Sequence, residues 1–303
     1  MDMVSTQFVS VVEPLLNEVF DGTYAKLPRE YARIFAQETA IARRFQESSV
    51  LYGLGTAVLK PEGQNITYDQ GGEHYRVRFT PKVYALAYAM SEELIDDGDH
   101  ISLGKSFSEH LARGMDESKE IVHANILNRA ENGSYLGGDN VTLLSTSHPL
   151  ALGGTWSNRL ATAANLSEAA IEQLLIQIMN AVDGRSKRIA LNGRRLVISP
   201  SNVFNAARIQ RSVGRPGTAD NDINATKSLG MLTEDPARIT RLTTVNQWFI
   251  QTDAPEGLIT KQRKSLKRGM EGDFETNSMR YKAYERYDAN WVDPRCVYGT
   301  AGQ

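Results

Sequence analysis

A single cysteine, Cys296, excludes an intrachain disulfide, and a chain without such cross-links suits assembly in a reducing compartment. No apolar run approaches the ~18 residues of a membrane span, and the opening Met-Asp-Met-Val lacks the basic-then-apolar pattern of a secretory leader. The sequence therefore predicts a chain that is neither secreted nor embedded. Basic charge in excess is missing too: a formal net charge of -2 argues against a protein whose main task is gripping phosphate backbones. Catalytic patterns are equally scarce. His74, His100, His110, His123 and His148 are scattered, none in a His-Glu-x-x-His pattern, and one cysteine makes no zinc cluster. Neither a Gly-x-Ser-x-Gly elbow nor a Gly-x-x-x-x-Gly-Lys loop occurs, and Gly53-Leu54-Gly55 lacks the third glycine of a dinucleotide loop. Glu92, Glu93, Asp96, Asp97 and Asp99 do not follow the order of a calcium loop and read as helix-end electrostatics. No metal or cofactor site is expected.

What the chain does contain is length and amphipathic pattern. With 303 residues, 41% of them hydrophobic and 23% charged, it can build more than one compact lobe. From Ile101 to Gly133 the spacing predicts one long helix of roughly 50 Å. Leu103, Phe107, Leu111, Met115, Ile121, Val122 and Ile126 fall in one sector. Lys105, Glu109, Arg113, Asp116, Lys119, Glu120 and His123 fill the other as solvated residues, and only Leu127 falls on the wrong side. Asn132-Gly133 supplies the C-terminal stop.

Before this helix, residues 1–46 predict a jointed helical arm, broken at Asp21-Gly22 and resuming from Tyr31 to Phe45, with Pro14 easiest to place in a first turn. Strands at about Val50–Lys60 and His74–Thr80 then flank a polar excursion, a projecting hairpin too poor in apolar residues to hold a core of its own. Val83–Met90 is apolar on both faces, with the small row Val83, Ala85, Ala87 and Ala89 placed to receive a helix. After the long helix, a Gly/Ser/Thr-rich connection leads to a second lobe. There Ser167 caps a helix stapled by Leu166 and Ile171, Leu196-Val197-Ile198 forms a buried strand, and strands return at Ile239–Val245 and Trp248–Thr252. Residues 211–227 read as a loop, and Met279–Val297 closes the chain as a strand ending at Trp291-Val292-Asp293-Pro294.

The order of these segments, with Ser91-Glu92-Glu93-Leu94-Ile95-Asp96-Asp97, Ser147-His148-Pro149, Leu196-Val197-Ile198-Ser199-Pro200 and Trp291-Val292-Asp293-Pro294-Arg295, resembles the major capsid proteins of tailed bacteriophages. The resemblance covers nearly the whole chain. It implies an α+β, Hong Kong 97-type fold with an N-terminal arm at 1–45, an extended loop at 46–82 and a peripheral domain at 83–160 plus 278–303. That peripheral domain carries the spine helix 101–133, and an axial domain fills 161–277. It also implies a homo-oligomer of pentamers and hexamers in an icosahedral shell around double-stranded DNA contacted non-specifically, assembled in the host cytoplasm. Portal and decoration proteins are the partners such a shell takes. The chain opens at Met1 on the arm itself, so a separate scaffolding protein, or none, is expected.

Two other readings stand beside this one. The same fold serves cellular encapsulating nanocompartments that hold enzymes, and Ser147 with His148 offers a small-molecule hydrolase, although sequence neighbours rarely have the geometry of a triad. Subunit-interface candidates are the hairpin tip Asp69, Gln70, Gly71, Gly72 and Glu73, and the basic run Lys261, Arg263 and Lys264, which reads as a solvated or inter-subunit face. Some relatives weld subunits by a lysine–asparagine isopeptide bond assisted by a glutamate. Lys60, Asn290 and Glu285 are nearest by segment, but their local sequence gives no specific match and no cross-link is expected.

Overall fold

The computed structural model describes residues 5–39, 41–91, 93–94, 100–214, 223–273, 275 and 278–302. The arm is a helix α1 (Ser5–Lys26), a short 3-10 turn Tyr31–Arg33 and a strand β1 (Ala36–Thr39). A ribbon follows, β2 (Gln46–Tyr52) paired antiparallel with β3 (Gly72–Phe79), then β4 (Lys82–Ser91) and a long helix α2 (His100–Asn128). The second lobe holds β5 (His148–Pro149), β6 (Thr155–Trp156), α3 (Glu168–Met179), β7 (Gly193–Ile198), α4 (Val203–Arg211), α5 (Ala225–Ser228), β8 (Ala237–Arg238) and β9 (Trp248–Thr252). Two long strands, β10 (Leu258–Asp273) and β11 (Ser278–Trp291), return to the first lobe, and β12 (Val297–Thr300) ends the chain.

Two four-stranded sheets organise these elements, ordered β1-β10-β11-β4 and β12-β9-β7-β8. In the second lobe, Ser167 caps α3 by accepting from the Ala170 N–H, and Leu166, Ile171, Leu174 and Ile178 pack with Leu196, Trp248 and Ile250. Burying such large apolar side chains stabilises by about 1.5–3 kcal/mol each, so this lobe has a core of its own. In the first lobe, Leu111, Ala112 and Met115 of α2 meet Val12, Leu16 and Phe20 of α1, and Tyr281 and Ala283 of β11 close the cluster. Ser108 Oγ donates to the Leu16 carbonyl at 2.9 Å in the same contact.

Several expectations are corrected. Pro14 lies inside α1, not at its start. The arm's second helix is the turn Tyr31–Arg33 followed by β1, because Tyr31, Ile34 and Phe35 are all buried as one anchor and their spacing reports that, not a helical stripe. Ile239–Val245 is turns, with only Ala237–Arg238 paired as a strand. The bulky row of β4 faces α2: Tyr88 Oη donates to the Gly104 carbonyl at 3.2 Å and Met90 is buried, whereas Val83, Ala85, Ala87 and Ala89 are exposed. The acids Glu92, Asp96, Asp97 and Asp99 lie outside the described residues, as do 215–222 of the expected loop.

The largest correction concerns the long helix. Leu103, Phe107 and Ile121 are exposed, while Asp116, Lys119, Glu120, His123 and Leu127 are buried. The buried positions run 111, 115, 119, 123, 127 and 104, 108, 112, 116, 120, 124, which is a strict step of four. At 100° per residue such a row winds by about 40° every four residues, so α2 turns its buried face from α1 toward the arm's anchor and the sheet.

Candidate assembly surfaces

The ribbon is buried at its base, and its apolar side chains farther out are bare. Val77 and Phe79 of β3 bury against Ile41, Ile259 and Val292, and Tyr75 Oη donates to the Val292 carbonyl at 3.1 Å. Its edges carry exposed ion pairs, Arg76 with Glu73 and Arg78 with Glu47. Between the strands, Leu54, Val58, Leu59, Ile66 and Tyr68 are exposed, with Leu59 at 89% and Tyr68 at 93%. Apolar groups clustered on one extended segment and left in water mark a contact with another molecule. Ile101, Leu103 and Phe107 of α2 are exposed as well. A groove of about 420 Å³ beside α2 is lined in part by Val122, Ile126, Tyr84 and Trp291.

The predicted interface residues divide. Asp69 is occupied within its own chain by Arg185, and Glu73 accepts from Ser49 and pairs with Arg76. Gly71 and Gly72 permit a close approach, but to Tyr52 of the paired strand: a Cβ on Gly71 would stand 2.8 Å from the Tyr52 carbonyl oxygen. Gln70 is exposed. Lys261 does not belong to a solvated face. It is 4% exposed under the ribbon base, its ammonium donating to Ser48 Oγ at 2.8 Å and standing 4.5 Å from the Phe79 ring centroid. Arg263 is half-buried and Lys264 exposed, with Tyr284 of the adjacent strand 5.7 Å from the lysine ammonium.

Sequence reasoning missed a buried polar cluster that joins arm, helix and sheet. Glu120 accepts the backbone N–H of Glu30 at 2.7 Å and of Tyr31 at 3.2 Å, so a buried carboxylate caps the turn in the middle of the arm. Burial outweighs those bonds and pushes its pKa up to about 7. Lys119 Nζ pairs with Glu285 Oε2 at 3.0 Å, the side chains 7% and 1% exposed, with the Tyr287 ring 5.0 Å from the ammonium. Burial also raises Asp116 and Glu285. His123, expected on the solvated side, stacks on Tyr31 at 4.1 Å, and burial lowers its pKa to about 4. A neutral ring with Nδ1–H donating to the Lys119 carbonyl at 2.6 Å leaves Nε2 to accept from Thr260 Oγ1 at 2.7 Å.

The hydrolase residues do not form a catalytic pair. His148 is 1% exposed, with Nδ1 on Asp139 at 2.7 Å and Nε2 on Asn158 Oδ1 at 3.1 Å, so both ring nitrogens are occupied away from Ser147. Among the described residues no group of three or more His, Cys, Asp or Glu could hold a metal ion.

Residues 75–300 match the family model described as phage capsid protein. A search of curated proteins finds no match. Among solved structures, the chain is similar to one described as the procapsid of bacteriophage JBD30, at 12% identity and TM-score 0.56, covering 99% of this chain and 77% of that one. It is similar to a virus-like particle from Pyrococcus furiosus, at 12% identity and TM-score 0.51 over 94% and 97% of the two chains. The capsid of a native GTA particle matches at 14% identity and TM-score 0.51, with 90% of each chain covered. At such identities the likeness is one of fold, and that fold is the Hong Kong 97 type.

Proposed function

The chain belongs to the phage capsid protein family and is a shell protein, and from that premise we propose that its copies close as pentamers and hexamers around double-stranded DNA. The observation that carries the reading of assembly is the ribbon: its base is anchored in the first lobe's core while Val58, Leu59, Ile66 and Tyr68 stand in water. Such a ribbon buries its apolar side chains only on another copy. The arm, ribbon, peripheral and axial divisions expected from the sequence supply the frame. In this frame the sheet with α2, to which β10 also belongs, forms the peripheral unit, and the lobe around β7 and β9, to which β12 also belongs, forms the axial unit.

The shell needs no chemistry from the subunit, and the occupied ring of His148 supports a structural role for the Ser147–His148 connection. Scaffolding, portal and decoration proteins and assembly in the host cytoplasm are part of this proposal. Purified particles tested by nuclease protection decide the contents: protected duplex DNA supports a genome shell, and particles filled with cargo protein and no nucleic acid contradict it.

A further inference from the structure

Both sides of the ribbon's mouth converge on one guanidinium of the second lobe. Arg185 donates from Nη1 to Asp69 Oδ2 at 2.6 Å and from Nη2 to Oδ1 at 3.1 Å, and its Nη1 also reaches the Gly53 carbonyl at 3.3 Å. Asp69 in turn accepts from the Gly55 N–H at 2.6 Å and the Gln70 N–H at 2.9 Å. Lys187 Nζ adds a bond to the Leu54 carbonyl at 2.7 Å. The turn that presents Arg185 is itself fixed: Asp183 Oδ1 accepts from the N–H groups of Arg185 and Lys187 at 2.8 and 2.9 Å, and the Asp183 N–H donates to the Lys187 carbonyl at 2.7 Å.

An isolated surface ion pair contributes little, but a bidentate fork with added backbone contacts fixes direction as well as distance. We propose that Arg185 and Asp69 form a latch that sets the angle at which the ribbon leaves its own lobe, and through it the angle between successive subunits. This rests on the shell reading. In a head-to-tail contact, the rotation between copies decides whether and at what size an assembly closes. The exposed segment beyond the latch carries Leu59 and Ile66, so the direction fixed at the ribbon's mouth decides where these side chains are presented. Arg185 is thus a positioning residue, and the docking surface lies beyond it in residues 56–68.

The test compares the full chain with Arg185→Ala, Asp69→Ala and the double variant, measuring subunit circular dichroism and particle diameter by electron microscopy. The latch predicts native dichroism in all three variants, loss of the single narrow diameter in each single variant, and a double variant no worse than either single one. Single variants that retain the parent diameter overturn it, as do effects that add in the double variant. A parent chain that makes no particles contradicts the shell reading instead. The latch is then read on the subunit, by hydrogen exchange at the Gly55 and Gln70 amides: faster exchange in Arg185→Ala supports it, and unchanged protection overturns it.

Discussion

At the residue scale, the burial of Lys119 against Glu285 has a definite consequence. Removing one partner leaves an uncompensated charge in the interior, whereas removing both leaves only a packing change. Lys119→Met should therefore destabilise the subunit by about 3–5 kcal/mol in denaturant unfolding, and Lys119→Met with Glu285→Leu should recover most of that loss. The neighbouring Glu120 and His123 respond to pH in opposite directions. Glu120 is raised from 4.5 to about 7, so the folded state holds its proton longer and stability falls as pH rises through that window. His123 is lowered from 6.5 to about 4, so its contribution is present above 6.5 and is lost as pH falls toward 4. Asp116 and Glu285 are raised and add to the Glu120 direction; Lys119, Arg29 and Glu30 face the same cluster. Glu120→Gln keeps an acceptor oxygen for one of the two arm N–H groups and removes one titration. Melting temperature measured from pH 4.5 to 7 should then fall less steeply, or rise more, with pH than in the parent chain.

At the scale of elements, α2 shows what the sequence could and could not say. Its existence was plain from its period, because a long amphipathic run has few other solutions, although it ends at Asn128, ahead of the expected stop at Asn132-Gly133. Its buried face was not, since a helix that passes from one core into another winds its contacts around its axis, and on that path Glu120 is bonded to the arm while Lys119 and His123 are bonded to Glu285 and Thr260 of the sheet. Leu111 lies in the cluster with α1, so Leu111→Asp places an unpaired carboxylate there, and insoluble chains are expected. The ribbon was legible as a projecting hairpin from its glycines and alternating strand. The partner of its acidic end was not, because Arg185 lies 116 residues away in sequence. Tyr68, 93% exposed, and Leu59, 89% exposed, separate folding from assembly. Tyr68→Ser with Leu59→Ser should change subunit stability by no more than about 0.5 kcal/mol while lowering particle yield sharply, read by dichroism and by sedimentation.

At the scale of the whole molecule, the order of segments made the architecture readable where no short motif did, because each segment's packing need restricts its neighbours. No lysine–asparagine cross-link is expected between copies of this chain. Alternation along β11 sets Glu285, buried beneath α2, on the face opposite Asn290, and Glu285 is engaged by Lys119. Denaturing electrophoresis of mature particles should therefore give one band at the monomer mass, and a ladder of multimers would show otherwise. If this chain is the wall of a closed shell, electron microscopy of the purified protein after nuclease treatment shows closed icosahedral particles, and those recovered from an infection retain protected duplex DNA; a soluble monomer with no particles under any assembly condition excludes the shell.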